Sequence, residues 1–361
     1  MSTLMKAARW HGRRDIRIEE IEVPEVDDTS VKIQVRYCGI CASDVHEYRE
    51  GPLLIPRAAH PLTGKHAPVV LGHELSGNVV AVGDRVIDVK VGDRVTVNAL
   101  IYCGHCSYCR TGQHNMCITL GTIGFAWDGG FAEYLVVPDY SVVPLPDVVS
   151  SQAGALVEPT AVAIRAVKRS RLMAGDDVVV IGAGPIGLLV LQAARAAGAA
   201  RVFVVEPIAR RRALALQLGA SLAWDPTVGD VGKSVAEHTE GVRAQVAFDC
   251  VGNQGTFDIA VRATSRRGRI AMIGLSLLPI AVPFLKLWGH EKEVTTSTGY
   301  VDEYAAALSL IADGRIDVSA LISKEIPLEQ IVTNGIEALI NQPDENTKIL
   351  VSPPSVIEPP G

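Results

Sequence analysis

The stretch that most constrains this 361-residue chain is Gly182-Ala183-Gly184-Pro185-Ile186-Gly187. It fits G-x-G-x-x-G, a pattern that says little alone but a good deal in context. Residues 178–181 are a Val/Ile run that reads as a strand, and 186–197 has helical character, so the glycines lie at a strand-to-helix turn. At such a turn the first glycine permits the tight bend. The second lets the backbone approach a pyrophosphate, and the third lets helix and strand pack closely. The helix start then offers free N–H groups and a positive dipole end to phosphates.

The surroundings support this. From about residue 150, short Val/Ile runs alternate with helical stretches: strands at 178–181, 202–206, 244–250 and 269–273, helices at 186–197 and 209–218. Alternation of this kind implies parallel βαβ units. Glu206 ends the second strand, about 20 residues after the glycines, where a carboxylate binds the ribose hydroxyls of an adenosine and repels a 2′-phosphate. NAD is therefore expected over NADP. Arg210, Arg211 and Arg212 complicate this, because arginine can accept a 2′-phosphate; for at least two of them a solvated helix face is expected.

The region before residue 150 has a different grammar. Val31, Ile33 and Val35 alternate with Lys32, Gln34 and Arg36, the period of a half-buried strand. Further short strands are expected at 77–82 and 94–99, and the proline-bearing 51–67 as a loop. Together these imply a β-rich unit resembling a distorted barrel. After residue 298 a helix at 301–312 and possible strands at 324–326 and 348–351 suggest a return to the first domain. The expected domains are 1–157, 158–298 and, returning to the first, 299–361. The end from Pro353 is expected to fray.

Two constellations offer metal ligands. Cys103, Cys106, Cys109 and Cys117 form C-x2-C-x2-C-x7-C. Four thiolates this close can enclose Zn2+ tetrahedrally with no position left for substrate, which makes the site structural. A disulfide cluster is the alternative, but it needs an oxidising compartment, and the N-terminus MSTLMKAARW has no apolar signal segment. A cytoplasmic location is expected. The second constellation is Cys41 to His46, then Gly72-His73-Glu74, then Glu158. A thiolate, an imidazole and two carboxylates can hold Zn2+ with one position open.

Net charge is −6 and no Lys/Arg run exceeds three residues, which argues against a nucleic-acid or anionic-membrane partner. The most apolar stretch, 178–191, is shorter than a membrane span.

By these motifs the chain resembles the zinc-dependent medium-chain dehydrogenases, the alcohol and polyol dehydrogenase superfamily, and within it the butanediol dehydrogenases. The carrying residues are Tyr37-Cys38-Gly39-Ile40-Cys41, His60 to Lys65, Leu71-Gly72-His73-Glu74, Phe248-Asp249-Cys250-Val251-Gly252 and Lys348-Ile349-Leu350-Val351, besides the cysteine array and the glycine loop. The resemblance implies an α/β architecture: a GroES-like β-rich catalytic domain plus a Rossmann doubly wound parallel-sheet coenzyme domain. It places catalytic zinc at Cys41, His73 and Glu158, with Glu74 a ligand in some relatives and behind the ligands in others. It puts a proton-accepting hydroxyl at Ser43, a relay histidine at His46 and a ribose-side base at Arg211. His60 and His66 receive no role, and Cys38 and Cys250 read as packing.

The implied reaction is zinc- and NAD-dependent oxidation of a secondary alcohol to a ketone, with two zinc ions per chain. A vicinal diol or hydroxyketone is the implied substrate; a bulky cyclic (terpene-derived) alcohol or a sugar alcohol is the alternative. A metal-free enzyme of the quinone-reductase kind is disfavoured by both metal sets. The family forms homodimers or homotetramers, usually edge to edge through the last strand of the coenzyme sheet, and residues 270–283 are expected to supply that edge.

Overall fold

The computed structural model describes residues 3–354; the end of the Pro-rich tail, 355–361, lies outside them. The chain divides into two compact units. One comprises the residues up to Glu158 together with those from Ile322 on; the other is Pro159–Leu321.

The first unit is built around the strand Ser30–Gly39. Val31, Ile33 and Val35 are buried as the alternation requires. Three strands pair antiparallel with it: Glu74–Val82, Tyr134–Pro138 and Lys348–Ser352. Arg94–Val97, Val142–Pro144 and Ile322–Pro327 extend the same seven-stranded sheet. A smaller sheet of Asp15–Glu22, Leu4–Gly12 and Val69–Val70 packs its buried Ala7, Ala8 and Trp10 into the same core. The strand register brings distant residues together. Gly39 faces Glu74 on one side and Leu350 on the other, so the strands that begin at Glu74 and at Lys348 flank the end of Ser30–Gly39 from opposite sides.

The second unit holds a six-stranded, all-parallel sheet. Its order is Leu222–Trp224, Arg201–Val205, Asp177–Ile181, Ala244–Asp249, Thr264–Met272 and Glu293–Thr296. In sequence order this is 3-2-1-4-5-6, the doubly wound Rossmann arrangement. All five residues of Asp177–Ile181 are buried, as a central strand covered on both faces demands.

Two boundaries differ from the sequence expectation. The helix Glu303–Ala312 belongs to the second unit, so the return begins at Ile322 and not near 299. Its anchor is the buried Glu303, which lies within ion-pair distance of Arg165 and Lys168 and accepts the Val301 N–H. The edge of the parallel sheet also moves. Ile270 to Met272 are interior, paired on both sides, and 273–283 contains no strand. Glu293–Thr296 is the edge, because the chain makes a short helix, Phe284–Trp288, before adding one more strand. Hydropathy alone does not mark that strand: Glu293, Val294 and Thr296 are all exposed.

Candidate active site and coenzyme loop

Cys41 is the N-cap of the helix Ala42–Glu50. Its backbone N–H donates to Asp44 Oδ2 at 2.9 Å, a reciprocal cap that fixes the chain where the thiol projects. The same helix carries Ser43 and His46, three positions apart and therefore on one face. His73 follows Gly72, whose φ is +95°. A Cβ at Gly72 would lie 2.7 Å from Cys38 Sγ and 3.0 Å from Phe131, so only glycine turns the chain there. That turn delivers His73 and Glu74 to the point where the strand begins.

Ligand atoms of Cys41, His73 and Glu74 all lie within 4.8 Å of one another. Thiolate, imidazole and carboxylate at that separation suit tetrahedral Zn2+ with one further position. The environment supports a cation. Burial works to keep His73 neutral, but Asp44, Cys41 and Glu158 outweigh it and hold the imidazole well above its ordinary pKa. The buried Oδ1 of Asp44 and Nδ1 of His73 both lack hydrogen-bond partners and lie 3.7 Å apart. A carboxylate placed on the Nδ1 side of a buried imidazole is the arrangement that orients a ligating histidine and leaves Nε2 for a metal.

Glu158 influences His73 and Lys348 electrostatically, but is not among the three that converge. It is the second residue of the helix Val157–Ser170 and is buried. Glu74, which sequence reasoning left as ligand or bystander, is the carboxylate that the backbone brings in.

Behind Glu74 stands a group that sequence reasoning did not assign. Lys348 Nζ donates to Glu74 Oε2 at 2.6 Å and to the Ile40 carbonyl at 3.0 Å. Both side chains are almost fully buried, at 2% and 1% exposure. A Cβ at Gly39 would meet Glu74 Oε2 at 2.4 Å, so Gly39 makes the space in which the carboxylate turns toward the lysine. Asp44 is the other unassigned residue. The only sequence signal for it is its place three residues after Cys41; Lys348 opens an apolar strand and stands in a motif of the resemblance, but neither gives it a role.

Ser43 Oγ lies 3.3 Å from His73 Nε2. His46 Nδ1 is buried without a hydrogen-bond partner, with Glu50 Oε2 3.9 Å away. His60 and His66 are engaged by backbone, at the Leu120 and Ala67 carbonyls respectively. Cys38 is packed beneath Gly72, and burial pushes its thiol far up; Cys250 is only partly buried.

In the cysteine lobe all four sulfurs are free thiols and lie within 4.8 Å of one another. The backbone N–H groups of Cys109 and Ile118 pull Cys106 down to about 6, while burial and the Cys106 side chain push Cys109 up to about 12, so the loop favours a thiolate at Cys106 first. His105 bonds the Cys103 carbonyl and His114 stacks on Tyr102 at 4.0 Å, so neither is needed as a ligand.

In the second unit the three glycines play distinct parts. Gly182 has φ +92°. Nothing lies within 4 Å of a Cβ placed on Gly184, the N-cap of the helix Pro185–Ala196, which has no side-chain cap. A Cβ on Gly187 would fall 1.8 Å from the Gly182 carbonyl oxygen. Open space before an uncapped helix start is where a pyrophosphate fits. Glu206 is buried; its carboxylate accepts the Ala183 N–H at 2.7 Å and the Ile208 N–H at 2.9 Å. It therefore braces the glycine loop, a role its sequence position did not suggest. Arg212 bonds the Glu206 and Pro207 carbonyls and Asp225, so it is an anchor and not a solvated residue.

Comparison with known proteins fits this geometry. Residues 27–147 match the family model for the alcohol dehydrogenase GroES-like domain, and 185–313 that for zinc-binding dehydrogenases. The (R,R)-butanediol dehydrogenase of Bacillus subtilis is 41% identical over 97% of this chain and 100% of its own length. This chain belongs to the zinc-binding alcohol dehydrogenase family. A sorbitol dehydrogenase of the same bacterium is 32% identical over 97% of each chain. The crystal structure of the B. subtilis 2R,3R-butanediol dehydrogenase superposes with a TM-score of 0.91, at 42% identity, covering 97% of this chain and 99% of that one. The GroES-like and Rossmann architecture expected from sequence is the observed one.

Proposed function

We propose that this enzyme oxidises a vicinal diol, or reduces the matching hydroxyketone, at a secondary carbon with NAD. The observation that carries the proposal is the convergence of Cys41, His73 and Glu74 on one point. Cys41, His73 and a carboxylate hold catalytic zinc, Glu74 from within the cluster and Glu158 from beside it. Cys103, Cys106, Cys109 and Cys117 hold the second zinc. Bound zinc supplies a Lewis acid that makes a hydroxyl proton acidic, and bound NAD accepts a hydride.

The chain's own residues do the rest. Asp44 orients His73. Lys348 keeps one oxygen of Glu74 engaged, which limits how strongly that carboxylate neutralises the site. Ser43 takes the substrate proton, and His46, on the same helix face with an unpartnered buried Nδ1, passes it toward solvent. Gly182 to Gly187 seat the pyrophosphate. Glu206 favours NAD over NADP, and Arg211 borders the adenosine ribose.

The diol reading is supported by 41% identity to a butanediol dehydrogenase against 32% to a sorbitol dehydrogenase. The second of these keeps a sugar alcohol as the competing substrate. NADH formation with 2,3-butanediol, sorbitol and a bulky cyclic alcohol separates them. The diol is expected to give the highest kcat/KM; absence of NADH with every secondary alcohol would contradict the reading.

The assembly proposed is a homodimer or a pair of dimers. The sheet edge Glu293–Thr296 is unpaired on one side, and beside it Phe284, Leu285 and Trp288 are 72, 76 and 68% exposed. An open edge and an apolar patch together fit a second copy of this chain. Sedimentation is expected to show a dimer or tetramer; a monomer would contradict it. No helix among the described residues is long and apolar enough to cross a membrane. Seven unbridged cysteines support a reducing compartment, and the cytoplasm is the proposed location.

A further inference from the structure

A cavity of about 920 Å3 opens in the second unit at the end of the parallel sheet opposite the glycine loop. Its lining comes from residues at or just before the starts of strands: Arg171 and Asp176, Arg243, Ser265 to Arg269, and His290 with Glu293. Five arginines gather there in a chain whose net charge is −6.

Pairing accounts for three of them. Arg171 is matched by Glu293, Arg269 by Asp176, and Arg267 by Glu291. Among the described residues no carboxylate is left for Arg243 or Arg266. The buried Nε of Arg243 has no hydrogen-bond partner. Lys292, beside them, spends its ammonium on the Val261 and Thr264 carbonyls and the Thr264 hydroxyl. The surplus positive charge is felt locally. Burial first, then Arg266, Lys292 and Arg243, lower the pKa of His290; burial and Arg243 bring Lys292 down to about 8. Like charges held together without a counter-charge are unfavourable unless an anion joins them. The backbone is also committed: Arg171, Arg243 and Arg267 all have positive φ, at 54°, 72° and 57°. Non-glycine residues rarely adopt that conformation, and three of the six that do so among the described residues line this one cavity.

We propose that this basin binds a small multivalent phosphate anion, held by Arg243 and Arg266 with His290 and Ser265 beside them, at a site separate from the coenzyme loop. Guanidinium forks suit the paired oxygens of phosphate. Ligands of parallel sheets ordinarily bind at the carboxyl ends of the strands, so occupancy here is independent of NAD.

The test is calorimetric titration of inorganic pyrophosphate into the full-length, NAD-saturated protein, with citrate as a second titrant. Saturable binding of pyrophosphate, tighter than citrate, is expected. Arg266→Gln and Arg243→Gln are each expected to weaken it about tenfold or more, the scale of one charge-assisted hydrogen bond. Arg57→Gln, an exposed arginine of the other unit, should leave it unchanged. Arg266 has no carboxylate partner to lose, so its variant should fold and bind NAD normally. Absence of saturable binding, tighter binding of citrate, displacement by NAD, or equal weakening by Arg57→Gln would each overturn the proposal.

Discussion

The two clusters of candidate metal ligands in the first unit make an instructive pair. The Cys103–Cys117 lobe is chemically uniform: four thiols on one short loop, tuned by backbone N–H groups, by burial and by one another. The Cys41, His73 and Glu74 cluster is mixed. Its members come from two separate segments, Cys41 and His73-Glu74, and polar and ionisable groups surround it: Asp44, Glu158, Lys348 and the hydroxyl of Ser43. A uniform, locally assembled set suits a closed metal that ties a loop together. A mixed set with a charged surround suits a metal whose remaining position is to be used. The lobe should therefore matter for stability and the mixed site for turnover.

That contrast can be broken by exchange of effects. Cys41→Ala has the largest expected consequence: NADH formation falls to background, while NAD binding, read by fluorescence, is unchanged. Activity at even a tenth of the parent rate would contradict the assignment. Next come the residues that touch the ligands and not the metal. Asp44→Asn and Lys348→Met are each expected to cost about 10- to 100-fold in zinc affinity or activity. A chelator competition assay reads the affinity apart from the rate. For Lys348→Met a further loss of stability is expected, because a buried carboxylate is left without its partner. Glu206→Ala should weaken NAD about 10- to 100-fold, the range for hydrogen bonds to a charged group, and narrow the preference over NADP. In the lobe, Cys109→Ser should leave kcat within a few-fold. Its cost falls on thermal stability, about 3 kcal/mol or a midpoint lower by about 6–12 °C in a calorimetric scan. If Cys109→Ser instead abolished turnover at full stability, the division of roles would fail.

How far the sequence carried this division depends on how local each feature is. The lobe is legible because all four ligands fall within fifteen residues, and the glycine loop because strand, turn and helix are consecutive. Cys41, His73 and Glu158 are separated by tens of residues; their side-chain chemistry offers a donor set, and the resemblance is what selects them as the zinc positions. What remained hidden is what depends on strand register. Gly39 faces Glu74 and Leu350, and that alignment brings Lys348, 274 residues away in sequence, onto the Glu74 carboxylate. No local pattern encodes it. The sheet edge was misplaced for a related reason: Glu293–Thr296 carries no hydrophobic alternation, since an edge strand needs little burial. The two bracing hydrogen bonds to Glu206 were likewise invisible, because they depend on how the loop folds over the strand end.

The claim at the centre is that one of the two clusters holds a metal for structure and the other a metal for chemistry. Elemental analysis of the purified protein, paired with the Cys41→Ala variant, tests it most directly. Two zinc ions per chain in the parent and one in the variant, which stays folded and binds NAD, is the predicted result. One zinc in the parent, or two still present in the variant, would contradict it.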